Sequence, residues 1–253
     1  MNVSLFQAAA ALDANARWQE VIADNLASSS VPGFKQQQLS QAAVQAGLMP
    51  AYGAQNLPRF FSVSTTSTST DFSPGELKYT GNGSDVAIEG NGFFEARLPS
   101  GATGLTRDGE FQVNSHGQLV TKESYPVLGV NALGVRVPIQ LNSDHSGPLS
   151  ISSTGNVNQG AELIGHLAVT EVDQPHLLTQ LSGGYFLAQN SKIVQHPSKA
   201  NLREGYLESS NSSTLMQMAS MMTASRGFEA NQHVIQIQDD RLNRTISELG
   251  NPT

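Results

Sequence analysis

The groups of this 253-residue chain that could hold a metal or move protons are six histidines, at 116, 145, 166, 176, 196 and 233, and 21 carboxylates. A zinc site needs ligands at set spacing, such as two histidines four residues apart on one helix face. The closest histidines here, His166 and His176, do not fit that spacing, and the absence of cysteine removes thiolate ligands and thiol nucleophiles. Glycoside hydrolysis needs two carboxylates across a cleft, and Asp85, Glu89, Glu95, Asp108 and Glu110 crowd one stretch of chain. The chain has little of the aromatic richness that lines sugar sites: aromatics are 6% of it and the one tryptophan, Trp18, lies in the N-terminal helical stretch. Gly81-Asn82-Gly83 and Gly90-Asn91-Gly92 resemble pieces of phosphate loops, yet neither is followed by Lys-Ser/Thr or opens a helix, so both read as hairpin turns. Ser182-Gly183-Gly184 lacks the Gly-x-Ser-x-Gly frame of a nucleophile elbow. The expectation is a protein that is not an enzyme, with no catalytic residue, metal or cofactor.

Composition points the same way. Charged residues are 14% of the chain, against about 25% in typical domains. The net charge of −7 leaves no clustered Lys and Arg for nucleic acid. No apolar run approaches the roughly 18 residues that span a bilayer, so no membrane insertion is expected. The first basic residue is Arg17 and the early apolar run Ala8 to Leu12 is short, so no cleavable signal peptide is read.

The elements that must position any site fall into three textures. From Met1 to about Ser30, Leu5, Ala8, Leu12, Ala16, Gln19, Ile22 and Leu26 recur in steps of three and four, one stripe of an Ala-rich helix. Ser28 to Ser30, Pro32 and Gly33 end it. Residues 36–71 read as an extended connector, weak in its Gln/Ala-rich first half and strand-like over Phe60 to Thr70. Residues 72–204 are β in texture: short runs such as Val86 to Ile88, Phe93 to Leu98 and Leu163 to Val172 are separated by Asn-Gly, Asp-Gly and His-Gly turns, which favours an antiparallel meander, barrel or sandwich. Residues 205–253 carry a helix in which Met221, Phe228, Ile235, Leu242 and Leu249 repeat every seventh residue. Met218, Ser225, Gln232, Asp239 and Ile246 are read as the second, mixed seam of that heptad. The fold class is therefore α+β: a mostly antiparallel β domain flanked by long amphipathic helices, with the first helix (1–35) expected to pair with the last as a coiled coil.

Several stretches resemble a known family. Asp24-Asn25-Leu26-Ala27 with Val31-Pro32-Gly33-Phe34-Lys35 resembles the N-terminal signature of bacterial flagellar rod, hook and hook-filament junction proteins. Asp85 to Phe94, then Thr106-Arg107-Asp108-Gly109-Glu110-Phe111 with Gly117 to Val120, are similar to the central domain of the rod and hook members. Gly205 to Asn211, followed by Ser225-Arg226-Gly227-Phe228-Glu229-Ala230-Asn231, resembles the C-terminal signature. Ser28, Val31, Ser212 and Gly227 depart from the usual residues.

The resemblance implies a structural subunit of the axial rod that polymerises helically through its terminal helices and transmits torque from motor to hook. Its partners would be copies of itself, other rod and hook axial proteins, and the flagellar type III export apparatus, and its place the basal body. The length leaves room for one β domain, which favours rod over hook. The implied assembly interface is Leu5, Leu12, Ile22, Asn25 and Leu26 of the first helix, Pro32, Gly33 and Phe34 of the turn, and Met221, Phe228, Asn231, Ile235, Leu242 and Leu249 of the last helix. The alternatives are a non-flagellar adhesin with a coiled coil and a β domain, and a carbohydrate-active β protein.

Overall fold

The Ala-rich stripe forms helix α1, Val3–Ala27. A computed structural model describes residues 3–49, 59–131, 133–142, 147–190, 192–198 and 200–250. Ala8, Ala14, Val21, Ile22 and Asn25 are buried on one side of α1, whereas Asp13, Arg17, Glu20 and Asp24 are exposed. Asp13 and Arg17, one turn apart, form an exposed ion pair at 3.0 Å, of the kind that adds only a few tenths of a kcal/mol. Asn25 ends the helix by mimicking a strand: its Nδ2 donates to the Gln37 carbonyl and its Oδ1 accepts the Gln37 N–H, both at 2.8 Å.

That reciprocal pair opens a two-stranded sheet, Gln37–Met49 with Arg59–Thr70. Only the second strand is legible in sequence, because its Thr and aromatic residues suit a pleated surface while Gln and Ala do not. Pro50, Gly53 and Pro58 of the connector lie outside the described residues.

The chain divides into two compact units. Unit 1 is Met1–Leu26, Gln37–Ser69 and Thr214–Thr253; unit 2 is Ala27–Gln36 with Thr70–Ser213. Unit 2 is antiparallel β. One sheet runs Thr179–Gln180, Tyr185–Leu187, Thr103–Thr106, Phe93–Arg97, Val169–Val172, Gln195–Pro197; the other runs Arg136–Pro138, Leu128–Val130, Glu162–Leu167, Asn156–Gln159, Leu149–Ile151. Side chains alternate across a strand, so adjacent Phe93 and Phe94 serve different cores. Phe94 meets Phe111 edge-on at 5.1 Å among Val86, Leu119, Val127 and Leu167. Phe93 packs with Phe186, Leu105 and Phe72. The last strands close on the first: Asn201–Glu204 pairs with Val86–Glu89, and Tyr206–Glu208 with Leu77–Tyr79.

Helix α2 spans Thr214–Gly250. Its sheltered stripe is Gln217, Met221, Ala224, Phe228, Asn231, Ile235 and Gln238. Of Met218, Ser225, Gln232, Asp239 and Ile246, read from sequence as the second seam, Ser225 is half-buried and the other four are exposed. A seven-residue repeat admits a second seam either three or four residues on, and the observed one lies on the other flank of the Met221 series. Within unit 1 the helices approach closely where a Cβ on Gly227 would stand 3.2 Å from Asn15 Nδ2.

Candidate functional site

The unit boundaries fall at 26/27, 36/37, 69/70 and 213/214, so the chain crosses between units four times. Inside unit 2, the segments that follow or precede those crossings converge on one buried cluster.

Local chemistry starts it. The Val31 N–H reaches back to Ser28 O, and Phe34 N–H to Val31 O, which forms a tight turn around Pro32. Gly33 takes φ +66°, and an added Cβ would lie 2.3 Å from the Arg107 carbonyl carbon and 2.6 Å from Asp108 N. Only glycine fits this backbone-on-backbone contact. The Gly33 N–H donates to Glu208 O at 2.7 Å, and Asn211 N–H donates to Phe34 O.

The turn then delivers Lys35 to the interior, where its side chain is 1% exposed. Nζ donates to Glu208 Oε1 at 2.5 Å and to Ser73 O at 2.8 Å. The same Glu208 oxygen accepts the Gly75 N–H, and Oε2 accepts Arg107 Nη1 at 3.4 Å. Arg107 also donates to Gly90 O and lies over the Phe93 ring, while its buried Nε has no hydrogen-bond partner among the described residues. One carboxylate thus faces two cations. Burial, reinforced by Arg107, pushes the Lys35 ammonium below its usual range against the pull of Glu208; burial likewise lowers Arg107. Asn211 completes the cluster: its Oδ1 accepts Gln36 N–H and its Nδ2 donates to Asp71 O at 2.8 Å and Ser73 O at 3.2 Å. Asp71 N–H in turn donates to Gln36 O. These contacts stitch residues 33–36, 71–75, 107 and 208–211 together.

Next to Gly33, Asp108 is buried, with Oδ1 accepting the Glu110 N–H at 2.9 Å. Burial, aided by the nearby Glu110 and Glu123 charges and opposed by that hydrogen bond and Lys122, raises its carboxyl to about 7. The folded chain therefore keeps a proton that the unfolded chain loses near pH 4. Stability falls as pH rises from about 4 to about 7 and then levels off. Asp108→Asn preserves the acceptor without the charge. It should flatten this fall and stabilise the protein at pH 8 by on the order of 2–4 kcal/mol, which urea unfolding at pH 5 and pH 8 measures; an unchanged pH dependence would refute the assignment.

The other carboxylates considered for glycoside chemistry are held by structural partners. Glu95 pairs with Arg136 and Thr170, Asp85 with Thr80 and Asn82, Glu89 with Arg203, and Glu110 with Lys122. Among the described residues, no group of three or more His, Asp or Glu is placed to hold a metal ion.

Of the residues singled out in the sequence, Gly33 and Phe34 lie in the cluster, with Pro32 in its turn. Ile22 and Asn25 are buried, and Leu12 and Leu26 half-buried, on α1. Met221, Phe228, Asn231 and Ile235 are half-buried along one face of α2, and Leu242 is exposed at 41%. The side chains of Leu5 and Leu249 lie outside the described residues. Sequence reading did not single out Lys35, Asp71, Arg107, Glu208 and Asn211 as site residues. Four of them sit inside the family-like stretches, but nothing local indicates that Lys35 and Glu208 meet.

Two family models match the chain. One describes the flagellar hook protein FlgE/F/G D1 domain and covers residues 87–159; the other describes the flagellar basal body rod FlgEFG protein C-terminal region and covers residues 203–248. The chain is similar to the flagellar basal-body rod protein FlgG of Buchnera aphidicola subsp. Baizongia pistaciae (strain Bp), 32% identical over 95% of this chain and 97% of that one. It is 30% identical to FlgG of Buchnera aphidicola subsp. Schizaphis graminum (strain Sg), over 97% and 99% of the two chains. The flagellar basal-body rod protein FlgF of Mesorhizobium japonicum (strain LMG 29417 / CECT 9101 / MAFF 303099) is 29% identical over 99% of both.

Proposed function

Since this chain belongs to the flagellar basal-body rod protein family and is a structural subunit of the rod, we propose that it polymerises helically through α1 and α2, with unit 2 as a separately folded body. The observation that carries this reading is the surplus apolar surface of α2: Leu215, Met216, Met218, Met222, Val234, Ile237, Leu242 and Ile246 are all exposed. These residues lie all round the helix rather than on one face, and exposed apolar surface in such amount is what partners on more than one side would cover. A head-to-tail contact whose rotation does not close a ring builds an open helical assembly, which is the geometry a rod requires. The partners are other copies of this chain and neighbouring axial proteins, delivered by the flagellar type III export apparatus, and the two terminal helices pair as a coiled coil. The role is structural and not enzymatic, and neither the adhesin nor the carbohydrate-active reading draws support from the relatives.

The double substitution Met222→Asp, Ile237→Asp tests this directly. Both side chains are solvent-exposed in the free subunit, so the purified protein should unfold at parent-like urea concentrations. In cells the variant should fail to complete rods and should not swim. Normal rods by electron microscopy together with normal swimming would defeat the reading.

A further inference from the structure

We propose that Glu208 is a positioning residue that fixes the spacing between the two helix stems, the turn after α1 and the segment before α2, so that unit 2 must close before a subunit presents its helices together. The inference rests on the reading that α1 and α2 carry assembly. The Glu208 side chain bonds three separate parts of the junction: Lys35 beyond the first stem, the Gly75 N–H after the connector, and Arg107 just past strand Thr103–Thr106. Its backbone carbonyl also accepts the Gly33 N–H. Three residues on, Asn211 binds the Gln36 N–H and the Asp71 carbonyl.

The chemistry makes this junction all or none. Lys35 and Glu208 stand 173 positions apart in sequence, so the pair forms only after strand Tyr206–Glu208 has docked on Leu77–Tyr79. Before that, Lys35 is an ammonium with no carboxylate partner, and burying it alone is disfavoured, so the first stem stays undocked. Once the carboxylate arrives, it compensates Lys35 and Arg107 together, and Gly33 can seat on the Arg107 backbone. Unit 2 thereby acts as a gauge of its own completion, and the stems are held only when it has closed.

The chain has no cysteine, so paired spin labels can be placed without background at Ser30→Cys and Ser213→Cys, both exposed and both in unit 2. The full-length monomer should give a single narrow distance distribution. Glu208→Gln should lose that narrow peak while its far-UV spectrum stays parent-like. If Glu208→Gln does not fold, Lys35→Glu supplies the same test, because it leaves the Arg107–Glu208 pair but sets a second carboxylate against Glu208 and so keeps the first stem from docking. Leu119→Ala, a core truncation remote from the junction, controls for simple loss of stability and should keep the narrow peak. A parent-like narrow peak in folded Glu208→Gln or Lys35→Glu would overturn the proposal. The measurement is made on monomers, so its outcome is separate from whether the helices assemble.

Discussion

Gly33→Ala should cost the purified subunit more than about 4 kcal/mol of stability, a loss reserved for a few severe mechanisms. Two of those act together. A left-handed conformation costs a non-glycine residue about 1–2 kcal/mol, and the new methyl would sit 2.3 Å from the carbonyl carbon and 2.5 Å from the oxygen of Arg107. Those are backbone atoms of a buried segment, not the free end of a flexible side chain, so relief requires the 31–35 turn to lift away. Lifting it breaks the Gly33 to Glu208 hydrogen bond and withdraws Lys35 from its carboxylate. Pro32, which is half-buried and only pre-sets its own φ, should tolerate alanine with a far smaller loss. Urea unfolding of both variants measures the contrast, and a Gly33→Ala loss below about 1 kcal/mol would contradict the close approach.

Phe228→Asp should abolish rod assembly while leaving unit 2 intact. Phe228 lies half-buried on the sheltered stripe of α2, one turn from Ala224 and Asn231, and placing a carboxylate there costs about 1–3 kcal/mol through lost packing and the charge set against apolar neighbours. The core clusters of unit 2, built on Phe94 with Phe111, on Phe93 with Phe186, and on Ala96 with Tyr185, contain no α2 residue, so the unfolding transition of unit 2 should not move. Electron microscopy of basal bodies and calorimetry of the purified variant read the two halves of this prediction. A swimming strain with complete rods would refute it. Leu242→Asp makes an instructive comparison: Leu242 is on the same seven-residue series but exposed at 41%, so its substitution should spare the free subunit and act only at assembly.

The contrast between Phe228 and Leu242 shows how far the sequence could be read. The seven-residue period is a local property of the apolar residues, and it predicts helix α2, in which Met221, Phe228 and Ile235 are half-buried while Leu242 is exposed. Period alone cannot say which flank of that series is covered, since steps of three and four both fit. Ala224 is buried where Ser225 is half-buried, and Asn231 is half-buried where Gln232 is exposed, and that choice depends on neighbouring elements. Strand Gln37–Met49 was illegible for a related reason: its Gln and Ala residues have weak strand preference, and its pairing with Arg59–Thr70 and the Asn25 clasp on Gln37 decide its conformation.

By itself the sequence determined where α1 stops, that Gly33 must turn, that the middle of the chain is antiparallel β, and which family signatures are present. These follow from backbone sterics, side-chain alternation and residue order, which act over a few positions. Only the tertiary structure decided that Lys35, Arg107 and Glu208 form one buried cluster and that Asn211 holds the connector's two ends. An ion pair spanning 173 positions has no local signature: a lysine near a turn and a glutamate on a short strand are each ordinary surface residues until chain closure removes them from water and leaves each as the other's partner.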